Sequence, residues 1–271
     1  MPELPEVEVT RLGLIPLLNK TICRVDVRNH SLRWPINKNL PKILKNQQLL
    51  ELKRRSKYIL AKFTNGTLII HLGMSGHLSI LPLTSPIQKH DHVDFIFHND
   101  GPILRYTDPR RFGSILWTQN NPMEHKLLFN LGPEPLDNDF DANYLYKKIK
   151  GKKQCIKSAI MDAHNVVGIG NIYASEALFY SKIRPQRRSC NVTKKEYSDL
   201  VKFIKIVIKD AIIKGGSSMS DFFDVSGENG YFQNEHKVYG REGMLCYACE
   251  SIITQKRIAQ RSSFFCKKCQ K

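Results

Sequence analysis

Four of the seven cysteines crowd the C-terminal end as Cys246-x2-Cys249 and Cys266-x2-Cys269, a C-x2-C-x16-C-x2-C spacing. Two thiolate pairs, each on a tight knuckle and joined by a hairpin-length segment, bring four sulfurs to the corners of a tetrahedron, the closed geometry of structural zinc. The spacing predicts a zinc-ribbon β-hairpin holding one structural Zn2+, with no open coordination position for chemistry. A piece of about thirty residues has too little core to fold without its metal, so metal binding and folding should be one event. Disulfides would need an oxidising compartment that the N-terminus gives no reason to expect, and a redox C-x-x-C would not need duplicating. Cys23, Cys155 and Cys190 are scattered.

At 271 residues and 41% apolar content the chain can fill one large or two medium domains. Its most apolar stretch, residues 201–213, is broken by Lys202, Lys205, Lys209 and Asp210, so nothing approaches the roughly 18 apolar residues of a membrane span. Met1-Pro2-Glu3-Leu4-Pro5-Glu6 has acids and prolines where an export signal carries positive charge ahead of an apolar block, which predicts a cytoplasmic protein. The charge is less ordinary: 42 Lys and Arg face 25 Asp and Glu, a formal +17 with a sequence pI of 9.6. Such a surface gains affinity for a polyanion by releasing its condensed counterions. Which polyanion is for the motifs to decide.

Along the chain, Pro5 at a helix-opening position, Glu6 and Glu8 in a first turn and a stripe of Val7, Leu14, Ile15 and Leu18 predict an N-terminal helix that Pro16 bends or shortens. Residues 21–117 turn to short β-rich runs, among them 58–63, 67–71 and 93–97, with Asn65-Gly66 placed as a hairpin turn. Leu131-Gly-Pro-Glu-Pro135 reads as a linker, and the periodicity beyond it is helical, most clearly over 194–214 before Gly215-Gly216. The expected fold is α+β: an N-terminal antiparallel β-sandwich with a flanking helix (1–130), the linker (131–135), a helical domain (136–232) in which Gly168-Ile-Gly-Asn171 fits a helix-two-turns-helix, and the zinc finger (237–271).

No phosphate loop, nucleophile elbow or zincin helix is present. His90-Asp91-His92-Val93-Asp94 alternates as a metal-binding strand could, although a wet strand edge explains it as well. More distinctive is the N-terminus, since a Met before a small residue is normally trimmed, exposing Pro2 as a free secondary amine. An α-amino group titrates near 7.7 to 8.0, so an appreciable fraction is an available nucleophile at physiological pH. Attack on a sugar C1′ gives an iminium with no N–H to lose, and its persistent charge favours β-elimination; Glu3 could move the proton as the ring opens. On composition alone the plainer reading, a helix-opening proline, is the stronger.

The N-terminal Pro2-Glu3-Leu4-Pro5-Glu6-Val7-Glu8 taken with the cysteine pattern resembles the bacterial formamidopyrimidine-DNA glycosylases, which repair 8-oxoguanine. The likeness extends in order through Lys57 in Lys-Arg-Arg-Ser-Lys-Tyr, His71-Leu-Gly-Met-Ser-Gly76, the His90–Asp94 run, Tyr106-Thr-Asp-Pro-Arg-Arg-Phe-Gly113, Val167-Gly-Ile-Gly-Asn-Ile-Tyr-Ala-Ser-Glu176 and Ala259-Gln-Arg261. It implies a bifunctional glycosylase and abasic-site lyase of base excision repair that acts on double-stranded DNA, excises 8-oxoguanine and formamidopyrimidines, and nicks by β,δ-elimination. It implies a monomer in the bacterial cytoplasm, gripping DNA in a basic cleft. By position, Pro2 would be the Schiff-base nucleophile, Glu3 its acid-base partner, Lys57 a phosphate contact assisting β-elimination, and Arg261 a phosphate clamp associated with δ-elimination.

His71 and Asn171 would hold phosphates, with His90, Lys152 and Lys157 as further DNA contacts. Met74, Arg110 and Phe112 would fill the gap left when the damaged base swings out of the duplex. Lys53, Arg54 and Arg55 beside Lys57 read as phosphate anchors, and residues 215–233 as a loop over the extruded base. An endonuclease VIII-like enzyme for oxidised pyrimidines shares the terminal proline and zinc hairpin, but Leu4 and Arg110-Arg-Phe112 favour the purine enzyme. A zinc-ribbon module that recognises damage without cutting is the alternative outside catalysis. Ala163-His164 and Ser217-Ser218 depart from the family pattern and leave the proposed catalytic groups in place.

Overall fold

The structure, a computed structural model, describes residues 2–98, 101–217, 225 and 230–271. The chain starts helix α1 (Leu4–Gly13) with a reciprocal cap. The Glu3 main-chain N–H donates to Glu6 Oε2 at 2.8 Å, while the Glu3 carboxylate accepts from the Glu6 amide. Pro16 ends the regular helix and a 3-10 turn, Ile15–Leu17, replaces it. That tighter turn changes the stripe expected from one continuous helix: Leu14 and Leu17 are buried, whereas Ile15 is 43% exposed.

After β1 (Ile22–Val27) and the short α2 (Leu40–Leu44) come β2 (Leu49–Arg55), β3 (Tyr58–Phe63), β4 (Gly66–His71), β5 (His77–Leu81), β6 (Asp91–Phe97), β7 (Ile103–Thr107) and β8 (Ser114–Thr118). They form two antiparallel sheets, in the orders β1-β6-β7-β5 and β2-β3-β4-β8. Val25, Phe95, Phe97, Leu104 and Tyr106 from the first pack with Leu52, Ile59, Phe63, Leu68 and Ile70 from the second in one core, which makes a sandwich.

β6 is an interior strand and buried throughout, so the wet edge suggested by its polar residues is not what they form. Arg105 and Arg28 each donate two hydrogen bonds to Asp94, and the Arg105 guanidinium lies 3.2 Å from Asp91. His92 Nε2 donates to the Asp108 carbonyl at 2.8 Å. Burial would raise the Asp94 carboxyl, but Arg105 and Arg28 hold it below the usual range. With its charges neutralised by arginine, this strand offers no metal site. The cysteine tetrad is the cluster that could hold a metal ion among the described residues.

The second part carries α3 (Ala142–Ile149), α4 (Ile156–Met161), α5 (Asn171–Tyr180), α6 (Lys194–Ile213), β9 (Ile253–Ile258) and β10 (Arg261–Cys266). α6 starts on a Thr193–Glu196 capping box and buries Tyr197, Leu200, Val201, Ile204, Val207, Ile208 and Ala211 on one face. Two units result: Met1–Phe129 with Gly215–Tyr231, and Asn130–Lys214 with Phe232–Lys271. The ribbon folds with the helices. Phe264, Ile253 and Val238 share a small core with Phe179 of α5, and the C-terminal Gln270 side chain donates to the Ile183 carbonyl at 2.8 Å. No helix among the described residues is long and apolar enough to cross a membrane.

Candidate functional site

In the first unit Pro2 and Glu3 are buried at the start of α1. Glu6, which caps Glu3 with one carboxylate oxygen, accepts the Ser217 N–H with the other at 2.8 Å. Lys57 lies in the two-residue turn between β2 and β3, where Ser56 takes φ +55°. His71 closes β4. Its Nδ1 accepts from the Gly73 N–H at 3.0 Å, and its ring lies 4.8 Å from that of Tyr58. Burial, with the charges of Lys57 and Arg33 added, pushes His71 down to about 4. The neutral ring therefore keeps its proton on Nε2, a donor without charge.

Two loops converge beyond β4. Residues 72–76 carry Met74, half-buried, and residues 108–113 carry Arg110 and Phe112. Phe112 is 46% exposed, with the Arg110 guanidinium 5.1 Å from its ring centroid. A Cβ on Gly73, at φ +67°, would lie 2.5 Å from the Phe112 carbonyl carbon, so the absent side chain is what lets the loops touch. Beneath them Asp108 is fully buried. Oδ1 accepts from Ser75 Oγ at 2.7 Å, and Oδ2 accepts from Gly113 N at 2.9 Å and Tyr106 Oη at 3.1 Å. His90 is half-buried in the turn before β6, its carbonyl accepting the Asp108 N–H at 3.1 Å.

Arg54 departs from the expected row of anchors: its Nε donates to Glu8 Oε2 at 3.0 Å on the face that packs on α1. Burial opposes ionisation of Glu8, yet Arg11 and Arg54 hold it below the carboxylate range. Lys53 is paired with Glu51 at 2.8 Å. Neither Arg54 nor Lys53 is a bare cation like those the sequence suggested.

In the second unit Gly168 takes φ +79°, and Gly170 caps α5, putting Asn171 in its first turn. Lys157, only 2% exposed, donates to Asn171 Oδ1 at 2.6 Å, Ser263 Oγ at 2.7 Å and the Ser262 carbonyl at 3.2 Å. It braces Asn171 and β10 from inside, a different placement from the direct DNA contact that the sequence suggested. Lys152 stands apart, donating to Asn165 Oδ1 at 3.2 Å. Arg261 is exposed just after the β9–β10 turn, in which Ala259 and Gln260 both take positive φ, +46° and +62°. Residues 218–224 and 226–229 of the anticipated loop lie outside the described residues.

The four cysteine sulfurs lie within 4.8 Å of one another, with Cys249 and Cys266 3.4 Å apart and Cys246 and Cys269 3.9 Å apart. A tetrahedral site with Zn–S near 2.3 Å has edges of about 3.8 Å, so the tetrad fits a bound metal ion. Glu176 and Asp108 were not singled out from sequence. Buried Glu176 accepts the main-chain N–H groups of Lys237, Val238 and Tyr239 and ties the segment entering the ribbon to α5. Burial raises its carboxyl even so. Both acids stand inside the motifs that carry the resemblance.

Residues 1–115 match the family model of the Formamidopyrimidine-DNA glycosylase N-terminal domain, and residues 131–223 that of the Formamidopyrimidine-DNA glycosylase H2TH domain. The formamidopyrimidine-DNA glycosylase of Psychromonas ingrahamii is 49% identical over 271 residues, the whole of both chains. This chain belongs to the formamidopyrimidine-DNA glycosylase family. It is thus a DNA glycosylase of base excision repair acting on oxidised purines, from a family with abasic-site lyase activity. Among solved structures, the MutM (Fpg) protein of Thermus thermophilus superposes at a TM-score of 0.88 with 33% identity, covering 99% of this chain and 98% of that one. Wild-type Lactococcus lactis Fpg (MutM) in complex with DNA containing N7-benzyl-Fapy-dG gives 0.91 with 31% identity, covering 99% of each.

Proposed function

We propose that this glycosylase works through a Schiff base on Pro2 of the trimmed chain, then nicks the abasic strand by successive β- and δ-elimination. The carrying observation is the placement of Pro2 directly before a helix start locked by the Glu3–Glu6 cap. The partial positive charge of a helix N-terminus disfavours a second cation there, which keeps the imino nitrogen neutral and nucleophilic. As the N–C1′ bond forms, the glycosidic bond breaks and the base leaves with the bonding pair. Glu3 takes the proton that the Pro2 nitrogen sheds and passes it to the deoxyribose oxygen as the ring opens to the iminium. The iminium acidifies C2′; loss of that proton expels the 3′ phosphate, and a further proton loss expels the 5′ phosphate.

The other groups hold the DNA. Lys57, His71 through Nε2–H, Asn171 and Arg261 bind phosphates around the lesion, with Lys152 and His90 further out and Lys157 steadying Asn171. Met74 and Phe112 replace lost stacking, while Arg110 meets the orphaned cytosine. The tetrad of Cys246, Cys249, Cys266 and Cys269 holds one structural Zn2+, which fixes the hairpin presenting Arg261 and takes no part in bond making. In this reading residues 131–135 link a catalytic domain to a helical DNA-binding domain (136–232) and a zinc finger (237–271), and the enzyme is a cytoplasmic monomer. L. lactis Fpg in complex with DNA containing N7-benzyl-Fapy-dG, and in another structure with DNA containing an abasic site, supports DNA carrying oxidised purines or abasic sites as the partner.

Borohydride trapping tests the nucleophile. Pro2→Gly should lower excision of 8-oxoguanine by about a hundredfold or more, the scale expected when a covalent nucleophile is weakened, with duplex affinity kept. Peptide mapping of the trapped protein should place the wild-type adduct at residue 2. Excision near the wild-type rate would remove Pro2 from the mechanism.

A further inference from the structure

We infer that Asp108 is the positioning residue that makes Met74, Arg110 and Phe112 act as one rigid wedge, an inference that rests on the wedge reading above. Its main chain and carboxylate close the Phe112 loop at two points. The Asp108 carbonyl accepts the Arg111 N–H at 3.2 Å, and Oδ2 accepts the Gly113 N–H at 2.9 Å. The other carboxylate oxygen reaches the Met74 loop through Ser75, whose Oγ donates to Oδ1 and itself accepts the Arg110 N–H at 3.1 Å. A continuous relay, Arg110 N–H to Ser75 Oγ–H to Asp108, therefore ties the backbone of one wedge residue to the neighbour of another. His92 and Tyr106 complete the hold from the sandwich core.

The set calls for a side chain that accepts at both oxygens, because Ser75 Oγ–H, Tyr106 Oη–H and Gly113 N–H all donate to it. An asparagine has the same shape but brings two donors. Turned toward Oδ2 they confront the Gly113 N–H, which cannot accept. Turned toward Oδ1 they reverse the Ser75 bond, so that Ser75 Oγ accepts from both the amide and Arg110 while its own O–H loses the acceptor it had. Either orientation weakens the tie between the two loops, and an apolar wedge that can recoil no longer props open the base stack.

The test compares duplexes holding 8-oxoguanine opposite cytosine with duplexes holding it opposite a tetrahydrofuran abasic analogue, where no pairing has to be broken and extrusion is easier. Asp108→Asn should lose about tenfold in single-turnover excision opposite cytosine and less than about threefold opposite the analogue. Phe112→Ala should show the same selectivity, and the double variant no further loss, since both changes disable one device. Ser75→Ala, which cuts a single arm of the relay, should show a smaller selective loss and guards against a failure of Asp108→Asn to fold. Equal losses on both duplexes for Asp108→Asn and Ser75→Ala, or full activity of both, overturn the inference if Phe112→Ala remains selective. Should Phe112→Ala itself ignore the opposite base, the wedge reading falls and the inference falls with it.

Discussion

In the first unit the loops bearing Met74 and Phe112 are fixed by hydrogen bonds converging on one buried carboxylate and by backbones that touch where Gly73 omits a side chain. In the second, the hairpin bearing Arg261 is fixed by four thiols at one end and by the buried Lys157 along its inner edge. Both arrangements hold a short exposed tip still. The first is made of groups the chain always carries, so it forms whenever the sandwich does. The second, on the proposal that the thiols hold an ion, depends on that ion and on reduced sulfur, so it can be lost while the sandwich stands.

The sharpest separation should come from Cys249→Ser. Bound zinc should fall from one per chain toward none. Duplex affinity should drop by about tenfold or more as the Arg261 hairpin loosens and its phosphate contacts are lost. Hydrogen exchange should show protection lost over 253–266 and kept over 67–71 and 114–118. Retained affinity in the metal-free variant would mean that the hairpin needs no metal, and the contrast between the units would disappear.

How far each device could be read in advance follows from the range of its signal. The cysteine knuckles and α6 announce themselves by local spacing, through the paired C-x2-C and through the Thr193–Glu196 box ahead of a 3.6-residue stripe. Pro16 marked a break near the end of α1 but not the rotation that buries Leu17 and turns Ile15 out. The polar run of β6 reads as an edge because the arginines that neutralise it, Arg28 and Arg105, stand far from it in sequence. Glu176 is harder still, since what it holds is backbone N–H, which any residue supplies, and Asp108 reaches a hydroxyl 33 residues away together with backbone N–H groups. The same limit applies to Lys157, whose side chain looks like any other cation until the fold encloses it.

Lys157→Met sharpens the comparison within the second unit, with a smaller expected effect. Removing the brace leaves Asn171 Oδ1 and the Ser262 carbonyl without a donor they now have, which should cost about 1–3 kcal/mol in urea unfolding. An internal brace and a phosphate contact differ in salt dependence. Losing a direct contact would flatten the slope of log affinity against log salt by about 0.9, whereas losing a brace lowers stability and leaves the slope nearly unchanged. A flattened slope at unchanged stability would return Lys157 to the DNA surface.

The smallest effect concerns one histidine in each unit, the half-buried His71 and the buried His236. His71 and His236 are both pushed from 6.5 to about 4, chiefly by burial, with Lys57 and Arg33 adding to the shift at His71. A folded value below the unfolded one means that the native state binds fewer protons in between. Their contribution to stability is therefore complete above pH 6.5 and is lost as pH falls through that value toward 4. The urea midpoint should stay level from pH 8 to 7 and decline below 6.5, and His71→Asn should remove part of that decline. Because His71 stays neutral down to pH 6, it meets a phosphate as a hydrogen-bond donor and releases no counterion. The salt slope for duplex binding should thus be the same at pH 7.5 and pH 6, and equally so in His71→Asn. A slope that steepens on acidification in the wild type but not in His71→Asn would show that the ring becomes a cation, and the neutral Nε2–H contact would have to be given up.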